Sequence, residues 1–168
     1  GYAPLHIFCQ YQLELDHRAL KLLLRAAPRA ASLRTLQDGD SPLHLACYAQ
    51  RRTIADDADR ALGLLAAFAP VAALSACAMG RRCWSHLPSD DENYAICVAA
   101  IVEHAVRGLD DVKLDVDDEL RHRDRVERAC RECVDGRGGT LLHVCASIGT
   151  VDVATLTKVF DICSASDT

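Results

Sequence analysis

The sequence predicts an all-α fold of short helices stacked in pairs, and three observations carry that expectation. A turn followed by a short apolar helix containing one histidine recurs as GYAPLHIFC at residues 1–9, DGDSPLHLAC at 38–47 and GGTLLHVCA at 138–146. One such run arises easily by chance; three in 168 residues do not. Second, PRAASL at 28–33 returns as PVAALS at 70–75, an echo outside those runs. Third, half of the residues are hydrophobic but only 5% are aromatic, so Ala and Leu must supply the core. Small side chains in that proportion suit close helix packing better than the interior of a sheet.

Each element follows from local chemistry. Pro4 and Pro42 fall in the first turn of their helices, where a missing amide proton costs nothing. Asp16 is placed to cap a helix over 16–27 with Ala19, Leu20, Leu23, Leu24 and Ala27 as its apolar stripe, and Pro28 ends it. Residues 28–40 read as a connection rather than a helix, with Asp38-Gly39 as its turn. Ser41 opens the next helix, which directs Leu43, Leu45 and Ala46 inward. A polar link at 50–57 leads to a helix over 58–69, buried through Leu62, Leu65, Ala66 and Ala69. Gly63 inside that helix lowers its propensity by up to about 1 kcal/mol relative to Ala.

The third stretch departs from this pattern. Pro42 follows Pro28 by 14 positions, and the same count from Pro70 reaches Trp84, which puts His86 at the histidine position, 42 after His44. Pro88 follows too soon for a normal helix, so a shortened or distorted one is expected. Ser89, Asp90 and Asp91 offer caps to an apolar helix over about 92–106. An acidic, irregular segment at 108–118 precedes a charged helix over 119–134, with Leu120, Val126, Ala129, Cys130, Cys133 and Val134 toward the stack. A turn at 135–139, Thr140 as cap, Gly149 as helix end and a last helix within 151–163 complete the chain.

The runs Ser41-Pro42-Leu43-His44, Ala3-Pro4-Leu5-His6 and Thr140-Leu141-Leu142-His143 resemble the Thr-Pro-Leu-His start of ankyrin repeats, with a weaker echo ending at His86. The resemblance implies an ankyrin-like solenoid of about four stacked helix-pair units, the third irregular, over about 1–37, 38–79, 80–134 and 135–168. Successive histidines are 38, 42 and 57 positions apart, above the family's period of about 33, and the surplus is assigned to longer links and to an insertion near 108–134 carrying an extra helix. Because Gly1 already lies inside a signature and the last helix has no polar cap after it, the chain is expected to be part of a longer protein. Pro4, Leu5, His6, Ser41, Pro42, Leu43, His44, His86, Thr140, Leu142 and His143 are thereby given a structural role. Their imidazoles would bond the backbone of the adjoining connection while Ser41 or Thr140 caps the helix.

Function classes narrow accordingly. A net charge of -5, from 19 basic and 24 acidic residues, argues against a broad nucleic-acid surface. No run of 18 apolar residues exists, so no membrane insertion is expected. Nine cysteines scattered through helical segments suggest reduced, buried thiols and an intracellular setting, cytoplasm or nucleus. No nucleophile elbow, phosphate loop, zinc-protease motif or dinucleotide fingerprint is present, and neither an enzyme nor a cofactor is expected.

The resemblance implies a non-enzymatic protein–protein interaction module or scaffold whose partner is another protein. Its connections at 34–40, 78–82 and 134–139 would project side by side, making Arg34, Gln37, Asp40, Arg81, Arg82 and Arg137 the expected partner contacts. Arginines dominate this set, which favours an acidic or mixed-charge partner. The charged helix interleaves Arg121, Arg123, Arg125, Arg128 and Arg131 with Glu119, Asp124, Glu127 and Glu132, as a salt-bridged exposed face does, with a site for an acidic partner as the other reading. Trp84 is either a surface anchor or a filler of the distorted unit. The alternative is a helical domain with a metal or redox site at Cys130/Cys133, near His143 and Cys145 in sequence. Only that pair falls outside the repeat's own packing, and two thiols do not hold a structural zinc, so no metal is expected there. A third reading is the regulatory arm of a larger enzyme.

Overall fold

The computed structural model describes residues 2–12, 14–110, 116–131 and 140–164, with backbone alone for 116–123. It contains α1 (Pro4–Tyr11), α2 (His17–Ala26), α3 (Pro42–Ala49), α4 (Ala58–Phe68), α5 (Pro70–Leu74), α6 (Tyr94–Gly108), α7 (Val116–Arg131), α8 (Leu141–Ile148) and α9 (Val153–Ser164). Single 3-10 segments span Pro28–Ser32 and Cys83–His86, and no strand occurs among the described residues.

Short-range chemistry sets most boundaries. Pro4 and Pro42 stand at the first helical position of α1 and α3. Asp16 caps α2, its Oδ1 accepting from the N–H of Arg18 at 2.8 Å and of Ala19 at 3.3 Å. Gly149 ends α8 with φ +70°, the left-handed conformation a side chain resists. Ala27 (φ −144°, ψ 70°) and Ala69 (φ −139°, ψ 62°) leave the helix in nearly one conformation. Each precedes a proline, whose ring disfavours helical geometry in the residue before it, and each proline then starts a new helical turn. The PRAASL and PVAALS echo is therefore one structural device used twice. Residues 28–32, expected to be plain connection, are a 3-10 segment for this reason.

The helices stack against one another through two series of contacts. In one, α1 contacts α3, and α3 contacts the segment 83–86; in the other, α2 contacts α4, α4 contacts α6, and α6 contacts α9. The α4–α6 contact is the most extensive of these. Gly108 at the end of α6 lies so near the carbonyl of Ala67 that a Cβ would approach it to 2.7 Å. One apolar cluster runs through the stack and draws on every α-helix described, from Leu5 in α1 to Val159 in α9. α7 supplies Val126, Ala129 and Cys130 to it and lies against α5, α8 and α9. The shortened helix expected near His86 is the single 3-10 turn, and Trp84 fills it at 3% exposure rather than standing on the surface.

Candidate metal centre and the row of turns

Two turns precede α3 and the segment 83–86. In the first, Thr35 N–H donates to Asp40 O at 2.9 Å and Asp40 N–H donates to Thr35 Oγ1 at 3.0 Å, with Gly39 at φ +66°. In the second, Cys77 N–H donates to Arg81 O at 2.8 Å, with Gly80 at φ +73°. Ala78 N–H donates across to Asp38 O at 2.9 Å, and Nη1 of Arg34 donates to both Gly39 O and Ala76 O at 2.9 Å. A Cβ on Gly39 would come within 3.0 Å of the Ala78 nitrogen, so backbone conformation and close approach both require glycine there.

The histidines bind these turns to the helix starts. Ala3 N–H donates to Nδ1 of His6 at 3.1 Å, and Thr140 N–H donates to Nδ1 of His143 at 3.2 Å, the reach-back that Glu or Gln makes in a capping box. An accepting Nδ1 leaves the proton on Nε2, and Nε2 of His6 donates to Leu33 O at 3.1 Å. His44 repeats the scheme with a hydroxyl: Nε2 donates to Arg81 O at 3.3 Å, so Ser41 Oγ donates to Nδ1 at 2.8 Å. Ser41 was expected to cap α3; its side chain makes no cap bond, because the hydroxyl is spent on the ring. The Thr140 hydroxyl is likewise 2.9 Å from Nδ1 of His143. Burial first, then the Arg34 charge, pushes the His44 pKa down to about 4, and burial lowers His6 as well.

His86 does not share this role. The second turn closes from Cys77 to Arg81, one residue shorter than Thr35 to Asp40, so the helix-start position after Ser41 is Arg82 and the third helical residue is Ser85. Ser85 Oγ donates to Arg82 O at 2.6 Å, while Nε2 of His86, one position on, is buried without a partner. Its ring packs edge-on to Tyr48 at 5.6 Å, and burial lowers its pKa.

Where the turns meet, a carboxylate oxygen of Asp40, a ring nitrogen of His44 and the Cys77 sulfur all lie within 4.8 Å of one another. Asp40 Oδ1 is buried and has no hydrogen-bond partner. His44 and Cys77 are buried and Asp40 is half-buried. Oxygen, nitrogen and sulfur together match a borderline cation such as Zn²⁺ and mismatch Ca²⁺ or Mg²⁺, which take oxygen ligands. Bonds of about 2.0–2.3 Å place tetrahedral donors roughly 3.5 Å apart, so closure requires movement of about 1 Å at the widest separation.

No family model, curated protein or solved structure matches the chain.

The expected partner contacts divide. Arg34, Gln37 and Arg81 are exposed. Arg82 is 1% exposed, a correction to its place on a projecting turn: the shortened turn carries it to the helix-start position, facing inward. Asp40 is half-buried with one oxygen enclosed, and Arg137 lies outside the described residues. Of the signature residues, Leu5, His6, Ser41, Pro42, Leu43 and His44 are buried, Leu142 is half-buried, and Pro4 and His143 are exposed. The pair Cys130/Cys133 is half described: Cys130 is fully buried with its thiol pushed up to about 12, chiefly by burial, and Cys133 lies outside. A thiol held protonated is a poor metal ligand or nucleophile. Cys145, buried, is also raised, to about 11, and His143 is exposed. Among the described residues the cysteines are free, and no helix is long and apolar enough to cross a membrane.

The sequence places Asp40 among the expected partner contacts and Cys77 only among the nine reduced, buried thiols. His44 in α3 and Cys77 at the start of the second turn are 33 positions apart, with no motif spacing to join them. The available signal was the pair of glycine turns 41 positions apart, which stack and bring their flanks together.

Proposed function

We propose that this protein is a helical binding module that holds one transition-metal ion of the zinc class at Asp40, His44 and Cys77, pinning two consecutive turns. The observations that carry the reading are three different donors, one each from Asp40, His44 and Cys77, within 4.8 Å of one another, and an enclosed Asp40 oxygen, Oδ1, that no hydrogen bond satisfies. Asp40 and a Cys77 thiolate would neutralise a dication, and Ser41 would orient His44 through Nδ1 once the metal takes Nε2. Three protein ligands leave one coordination position for water or for a partner's side chain. The charges of Arg34 and Arg82 reach His44 and oppose a cation, which limits the affinity. Zinc titration of chelator-treated protein, followed by elemental analysis after desalting, tests the reading. One retained equivalent that C77S and D40N each abolish supports it; no retained metal, or metal unaffected by both substitutions, refutes it.

A second reading is a non-enzymatic ankyrin-like interaction module whose partner contacts the row of turns. It is favoured by the exposure of Arg34, Gln37 and Arg81 on adjacent turns that backbone bonds hold together. The order α1–α2, α3–α4 and the repeated histidine device support an ankyrin-like unit for the first half of the chain. Hydrogen-exchange mapping with a captured partner tests it. Protection at 34–40 and 78–81 is expected, and protection absent from both refutes it.

A further inference from the structure

A groove of about 540 Å³ opens where α7 crosses the segment after Pro28 and α5. Arg34, Arg125 and Arg128 line it, with Val71, Ala72 and Ala129 among its apolar residues, and none of the described residues that line it is a carboxylate. Carboxylates gather elsewhere: Glu14, Asp16, Asp56 and Asp57 line a separate groove along the links. The basic groove is therefore a local reversal of charge in a chain of net charge -5.

Its arginines are available. Among the described residues, Arg125 and Arg128 are exposed and no hydrogen bond or ion pair engages either. Arg34 spends only Nη1, on Gly39 O and Ala76 O, which fixes the guanidinium and leaves Nε and Nη2 to donate. The hydroxyls of Ser32 and Ser75, also on the wall, donate to Arg29 O and Val71 O of their own turns. A fixed guanidinium, two without a partner among the described residues and an apolar floor match a short segment carrying several carboxylates with a small apolar residue between them. Fixing donors before binding lowers the cost of ordering them.

We propose that this groove binds an acidic peptide segment of a partner protein, with its carboxylates on Arg34, Arg125 and Arg128 and a small apolar side chain on the alanine floor. The proposal deepens the partner-binding reading but uses a different surface from the exposed turn residues Gln37 and Arg81. The net negative charge disfavours a long polyanion, which sets a peptide above a nucleic acid as occupant.

The test is fluorescence polarisation with a labelled nine-residue peptide of repeated Glu-Glu-Ala, beside its Gln-Gln-Ala counterpart, a phosphoserine-containing peptide and a single-stranded oligonucleotide. The acidic peptide is expected to bind and the neutral one at least about threefold more weakly, as loss of three exposed charge pairs implies. R125A/R128A should lose a similar factor with its helical spectrum and unfolding midpoint retained, while R81A should bind as the parent does. Equal binding by parent and R125A/R128A, no binding of the acidic peptide at millimolar concentration, or tighter binding of the oligonucleotide would overturn the proposal. Tighter binding of the phosphoserine peptide with the same arginine dependence would support the site and identify phosphate as the anion. If R81A weakens binding and R125A/R128A does not, the partner-binding reading survives on the turns and the groove is excluded.

Discussion

Two glycines on the α4–α6 contact make one chemical change with opposite expected signs. Gly63 is inside α4, and a Cβ there would meet Cδ2 of His104 at 2.7 Å; Gly108 closes α6, and its Cβ would meet the Ala67 carbonyl oxygen at the same 2.7 Å. The obstacles differ in kind. His104 is an exposed side chain that can rotate away, at a cost of about 0.5 kcal/mol, against a gain of up to about 1 kcal/mol from replacing a mid-helix glycine. Ala67 O is backbone on α4, and relieving its contact means separating the two helices that share the most extensive interface. Overpacking of that kind costs about 1–3 kcal/mol, and the propensity gain at a helix end is smaller than in its middle. G63A should therefore equal the parent or exceed it by up to about 1 kcal/mol, while G108A should lose about 1–2 kcal/mol. Urea unfolding at fixed pH, with m-values compared, measures both. A gap of about 2 kcal/mol corresponds to about 4–8 °C in Tm for a chain of this size. If G108A proves as stable as G63A with m unchanged, the close approach of α4 to α6 is refuted.

His44→Ala in metal-free protein should cost about 1–3 kcal/mol in urea unfolding, because a fully buried ring loses its bonds to Arg81 O and Ser41; an unchanged midpoint would remove the histidine from the framework. Asp91 accepts from the N–H of Ile54 and of Asn93, bonds that hold its pKa below the usual 3.8. Its contribution is thus present above that value and lost as pH falls through the lowered one, so the stability gap between the parent and D91N, measured at pH 6 and pH 3, should be narrower at the acid end. Alkylation followed by mass mapping should label half-buried Cys163 well before fully buried Cys9, Cys47 or Cys83, and a reversed order would contradict the packing of α1, α3 and α9.

The sequence by itself determined the helices and their punctuation. Asp16, the Ala-Pro steps at Ala27-Pro28 and Ala69-Pro70, the first-turn prolines Pro4 and Pro42, and Gly149 all act within a few residues, through a cap, a ring clash or a permitted φ, so their effects can be read without knowing what lies across the chain. The inward sides of α3, α4 and α7 were legible for the same reason, since apolar spacing fixes which face is buried. Tertiary structure decided what depends on contacts between segments far apart in sequence. One residue fewer in the turn from Cys77 to Arg81 shifts His86 out of phase and carries Arg82 into the interior, and a count from Pro70 passes over that loss unseen. Asp40, His44 and Cys77 meet because two glycine turns stack, and Arg34 joins Arg125 and Arg128 because α7 crosses the segments after Pro28 and Pro70. Neither gathering has a spacing in the chain to announce it; contacts between segments far apart in sequence bring those side chains to one place.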